Sequence, residues 1–118
     1  MEKIALNDKG EFIVQEKSGI TIPFFKNLLL KKIITINKKG IYYYGTFLTN
    51  WKNLMNASIS EREANNQSKC DAYLTIDYRK ENENGFYHFE ILLNAKQNKT
   101  ENEIIDAIKY FSNNDIKN

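Results

Sequence analysis

His88 is the only histidine in the chain and Cys70 the only cysteine, so the side chains best suited to metal binding and nucleophilic chemistry occur once each. A metal site built on several histidines is excluded, and none is expected. His88 stands between Tyr87 and Phe89 on the polar face of an alternating stretch. It reads either as a general base or as a surface histidine paired with a neighbouring threonine or aspartate, and the pattern favours the second. Cys70, with Asp71 beside it and His88 distant, has the residue types of a thiol nucleophile with base and orienter. No local signature joins them, and a lone thiol at a strand start reads as half-buried packing. Glu61, Glu63, Glu81 and Glu83 fall among lysines and asparagines as solvated loop charge. The glycines, at positions 10, 19, 40, 45 and 85, form no phosphate loop, dinucleotide fingerprint or nucleophile elbow. The expectation is a protein that is not an enzyme and carries no cofactor.

Lysine distribution offers a different chemistry. Net charge is only +2, yet residues 1–59 carry nine lysines against four acids, and residues 60–118 carry eight bases against eleven acids. Between Lys17 and Ser60 there are seven lysines and no acid. Lys26, Lys31, Lys32, Lys38, Lys39 and Lys52 are the candidate ligands for an anionic lipid or a nucleic acid, if they share a face. Codon bias is the plainer origin, since Lys, Asn, Ile, Tyr and Phe all abound while arginine occurs only twice. Tyr42-Tyr43-Tyr44 beside Lys38 and Lys39 invites a base-stacking platform. On a strand, however, Tyr43 opposes Tyr42 and Tyr44, and sheet packing is the expected role.

These residues need a scaffold, and 118 residues at 13.9 kDa supply one domain, 1–118. Fifteen aromatics and fifteen isoleucines give a core ample surface, which argues against disorder. One proline, five glycines and one cysteine argue against collagen-like and disulfide-stapled classes. The first apolar stretch ends after three residues, too few for a signal peptide, and no apolar run approaches a membrane span. A cytoplasmic location follows as an expectation.

The pattern is mainly β as far as residue 93, then one helix. Ile4–Leu6 and Phe12–Gln15 flank Asp8-Lys9-Gly10 as a first hairpin, and Ile33–Ile36 and Ile41–Tyr44 flank Asn37-Lys38-Lys39-Gly40 as a second. Thr46–Leu48 reads as a short strand after Gly45. In Ala72–Arg79, Ala72, Leu74, Ile76 and Tyr78 share one face; Phe86–Leu93 is its partner across a turn closing in Asn84-Gly85. Pro23–Lys32 is open between a short helix and two strands, and Ser60–Lys69 reads as a solvated loop, with or without one helical turn. Thr100 and Glu103 form a capping box for a helix over about 101–112, with Ile104, Ile105, Ile108 and Phe111 as its apolar stripe. Lys109 complements its C-terminal dipole and Asn113-Asn114 is the stop signal.

The segment Ile33–Ile59, with a strand turning at Gly40, a second strand, and a Trp51-x-Asn53-Leu54 step opening the next, resembles small bacterial pleckstrin-homology-like domains. The later hairpin and final helix stand in the order such domains have. The resemblance implies an open barrel or two-sheet sandwich of about seven strands plugged by a C-terminal helix. An antiparallel α+β sheet with the helix across one face is the alternative. It also implies a non-catalytic binding or scaffolding module. A protein partner is the leading expectation, a bacterial inhibitor or immunity-type protein being one concrete version. Anionic lipid or nucleic-acid binding through stretch 17–60 is the other.

Overall fold

Alternating apolar residues, not continuous runs, dominate the chain before residue 93, and they produce half-buried antiparallel strands. The computed structural model describes residues 4–15, 32–63, 70–80, 83–93 and 97–116. Among the described residues seven strands fall in two sheets. The first has the order β1 (Phe12–Gln15), β2 (Lys32–Asn37), β3 (Gly40–Tyr43), β4 (Thr46–Thr49); the second has β5 (Leu54–Glu63), β6 (Cys70–Tyr78), β7 (Tyr87–Leu93). Every pairing is antiparallel. Among the described residues the strands do not close into a barrel, and two sheets stand where the alternative reading has one. One helix, α1 (Glu101–Ile116), follows them. No helix among the described residues is long and apolar enough to cross a membrane.

One core joins the inner faces of both sheets. Phe12, Val14, Ile34, Ile36 and Ile41 come from the first sheet and Leu74, Ile76, Tyr78, Ile91 and Leu93 from the second, all buried. Each fully buried aliphatic or aromatic side chain is worth about 1.5–3 kcal/mol. Ile104, Ala107, Ile108 and Phe111 bury the helix stripe against them. The helix touches β2 and β5, one strand from each sheet. Its N-terminus is the capping box foreseen in the sequence: Glu103 N donates to Thr100 Oγ1 at 3.1 Å, and Thr100 N to Glu103 Oε1 at 2.8 Å.

Trp51 anchors the crossing between the sheets. Its indole is buried, stacks on Phe111 at 6.1 Å with planes 8° apart, and donates Nε1–H to Asn37 O at 2.8 Å. Leu54 then opens β5, as the tryptophan step suggested.

Four expectations are corrected. Ile4–Leu6 is not a strand; β1 pairs with β2 instead, Phe12 opposite Ile36. Ser60–Glu63 completes the ten-residue β5, opposite Tyr73 to Cys70, and residues 64–69 lie outside the described ones. The helix runs through Asn113-Asn114 to Ile116, which leaves Lys109 in its interior. Tyr44 leaves the strand at φ 49° and packs edge-on against Tyr43 at 4.7 Å, so these two rings meet. Of the ambiguous 23–32 segment only Lys32, the first residue of β2, is among the described residues.

Candidate anion-binding groove

Two short turns share the pattern Asn-x-Lys-Gly: Asn7-Asp8-Lys9-Gly10 before β1 and Asn37-Lys38-Lys39-Gly40 between β2 and β3. In each, the asparagine side chain accepts a hydrogen bond from the backbone two residues on. Lys9 N donates to Asn7 Oδ1 at 2.9 Å and Lys39 N to Asn37 Oδ1 at 2.9 Å. This is the local bond that makes asparagine a turn former. Asn7 takes a second bond from Glu11 N at 2.9 Å. Because β1 lies beside β2, the two turns emerge at the same end of the first sheet. Glu11 ties them together: its Oε2 accepts from Asn37 Nδ2 at 3.1 Å.

The result is one open groove of about 740 Å³ on that sheet. Lys9, Lys38 and Lys39 line it from the paired turns, Lys32 from the first position of β2, and Thr35 and Tyr42 from between them. Thr35 and Tyr42 are register partners on β2 and β3. Among the described residues the lining carries four lysines and one carboxylate, that of Glu11. The ion pairs among the described residues involve Arg62, His88, Asp77 and Glu90, not these lysines. An adjoining cavity of about 350 Å³ shares Lys32 and Glu11 and adds Lys99, whose ammonium stands 5.3 Å over the Phe12 ring.

Of the six lysines singled out in the sequence, Lys32, Lys38 and Lys39 meet at this groove. Lys52 does not line it: Trp51 is drawn into the core and Lys52 stays exposed in the turn that follows β4. Lys26 and Lys31 lie outside the described residues. Lys9 is not among those six, because its place in the groove depends on the pairing of β1 with β2 across sixteen residues of sequence. The repeated Asn-x-Lys-Gly pattern is the signal that would have found it.

The residues read for catalysis are occupied elsewhere. On the outer face of the second sheet His88 Nδ1 meets Asp77 Oδ1 at 2.5 Å and Nε2 meets Glu90 Oε2 at 3.1 Å, so both ring nitrogens are engaged. Arg62 pairs with Glu90 and lies 4.5 Å over the Tyr73 ring. Cys70 opens β6, seven positions from Asp77, or about 23 Å at 3.3 Å per residue. No cluster of three metal-ligating side chains occurs among the described residues.

A second surface is aromatic. Tyr44, Tyr43 and Phe89 form a chain of edge-on rings, with Tyr43 5.2 Å from Phe89. Tyr87 stacks on Tyr78 at 5.9 Å, and Phe86 beside it is 66% exposed. The Tyr87 hydroxyl donates to Glu83 Oε1 at 2.6 Å, and that bond to a carboxylate holds its pKa above the ordinary value of 10.0.

No family model matches the chain, and no curated protein or solved structure matches it.

Proposed function

We propose that this protein is a non-catalytic binding module whose ligand is anionic and sits in the lysine groove of the first sheet. The observation that carries the reading is the lining of one groove by Lys9, Lys32, Lys38 and Lys39, with Glu11 as the one carboxylate among the described residues that line it. Like charges along one groove repel one another, and a bound anion relieves that repulsion. Seven strands followed by one amphipathic helix, with a tryptophan step into the fifth strand, also suit the pleckstrin-homology-like resemblance and its binding role.

The test is retention of inorganic polyphosphate, measured by equilibrium binding across a salt series. Binding at low ionic strength that weakens steeply with salt is expected, since exposed charges are screened beyond about 8 Å at physiological salt. The double substitution Lys38→Glu, Lys39→Glu should abolish it, whereas Lys52→Glu should leave it nearly unchanged. Absence of binding at low salt, or equal sensitivity to Lys52→Glu, overturns the reading.

A protein partner is the second reading, favoured by the aromatic strip of Tyr43, Tyr44, Phe89 and exposed Phe86. Aromatic residues of this kind anchor protein interfaces. A partner copurifying with the native chain should be lost on Tyr44→Ser with Phe86→Ser. Retention by that variant counts against this surface.

A further inference from the structure

The length and floor of the groove narrow the ligand. Lys32 stands at one end of β2 and the Lys38-Lys39 turn beyond the other. Five strand steps at about 3.3 Å separate Lys32 from Asn37, a span of about 17 Å. A single phosphate reaches one end only, so the lysines at both ends need an extended ligand with charges repeated along it. Between those ends the lining is not charged. Tyr42 is half-buried there, and its register partner Phe47 on β4 is 49% exposed. Their ring centroids are 5.3 Å apart at 69°, an edge-on pair that carries the aromatic surface from Tyr42, which lines the groove, to exposed Phe47 beyond its lining.

We infer that the groove binds single-stranded nucleic acid, with backbone phosphates on the lysines and a base against Tyr42 and Phe47. This rests on the anionic-ligand reading above and deepens it. A charged groove along the backbone and aromatic faces for the bases are the two parts of sequence-tolerant single-strand recognition. A bilayer fits less well, because Tyr42 lines a recess instead of standing on a protruding tip. An acidic peptide would satisfy the lysines but has no flat ring repeated with its charges.

The experiment is fluorescence anisotropy of the full chain with labelled oligo(dT) and oligo(U) of about ten nucleotides, a length within the site sizes of known single-strand binders. Polyphosphate, poly-glutamate and anionic vesicles serve as competitors. With four lysines engaged, the logarithm of the association constant should fall against log salt with a slope of about −3, at about −0.7 per phosphate. Lys32→Ala and Lys39→Ala should each lower that slope by about 0.7. Phe47→Ala should weaken oligonucleotide binding about 5- to 150-fold, the range for losing one stacked base, with the slope unchanged. Tyr42→Leu should do the same; circular dichroism checks its fold, and Phe47→Ala alone decides if it fails to fold. The same variants should leave polyphosphate binding within about twofold, because stacking contributes nothing there.

Polyphosphate or poly-glutamate competing as well as the oligonucleotide, with no effect of Phe47→Ala, overturns the nucleic-acid assignment and leaves the anion groove standing. Preferential binding of vesicles overturns it in favour of a membrane. Failure of every polyanion at low salt overturns both readings.

Discussion

Asn37 does three jobs with three groups. Its side-chain oxygen shapes the lysine turn, its amide holds Glu11 of the neighbouring turn, and its backbone carbonyl receives the Trp51 indole. The groove and the core thus meet at one residue, and the geometry of its turn matters for both. Gly40 closes that turn at φ +150°, where a Cβ would overlap the Thr49 carbonyl oxygen and stand 2.9 Å from Asn50 Cα. Both obstacles are backbone and cannot rotate away. Gly40→Ala should therefore lower stability by about 2–4 kcal/mol, combining backbone strain with overpacking. Gly85, at φ +93° with open space around it, carries the strain alone, and Gly85→Ala should cost about 1 kcal/mol. Urea unfolding of the two variants decides the matter. Equal losses would mean that the close approach of β4 contributes nothing.

Among the elements, the helix start is the most local and so the most predictable. Thr100 and Glu103 exchange hydrogen bonds that depend only on their spacing and on a helix following. The Thr100 backbone N–H donating to the Glu103 carboxylate holds its pKa below the ordinary 4.5. A carboxylate depressed in the folded state stabilises above its unfolded pKa and loses that contribution as pH falls through its folded one. Thr100→Ala should cost about 1 kcal/mol at neutral pH. Glu103→Gln should flatten the stability profile below about pH 4.5, by a small amount because the side chain is exposed. Thermal melts of the variants from pH 3 to 7 measure both effects; a profile unchanged by Glu103→Gln would rule the capping carboxylate out as a source of acid sensitivity.

The same contrast of local and distant causes separates what the residues disclosed from what they hid. The β6–β7 hairpin and the helix stripe follow from periods of two and 3.6 and stand where those periods put them, and Trp51 is buried as the size of its ring requires. Ser60–Glu63 looks like a loop because its neighbours in sequence are charged. Its stabilising partners, Glu90 and Tyr73 for Arg62, come from other strands. Asn113-Asn114 looks like a stop, yet asparagine costs no more than about 0.7 kcal/mol per helical position, and the helix continues. The groove was half legible for the same reason. Lys38 and Lys39 are neighbours in sequence, whereas Lys9 joins them only through strand pairing.

At the scale of the whole molecule, the helix holds the two sheets to a common core. Each sheet buries one face, and α1 lays Ile104, Ala107, Ile108 and Phe111 where those faces meet, touching β2 of one and β5 of the other. Ile104 is fully buried, so Ile104→Ala should remove about 2–5 kcal/mol, a large share of the 5–15 kcal/mol typical of a domain. Trp51, stacked on Phe111 and bonded to Asn37, makes its fluorescence a reporter of helix docking, while far-UV circular dichroism reports the strands. If residues 1–118 fold as one domain, the two signals should move together in urea, in the parent and in Ile104→Ala alike, with only the midpoint shifted. Removal of residues 100–118 should leave a chain that aggregates, because the apolar inner faces then meet water. A soluble 1–99 fragment with a cooperative transition, or a fluorescence change that precedes the loss of strand signal, would show instead that the sheets stand without the helix.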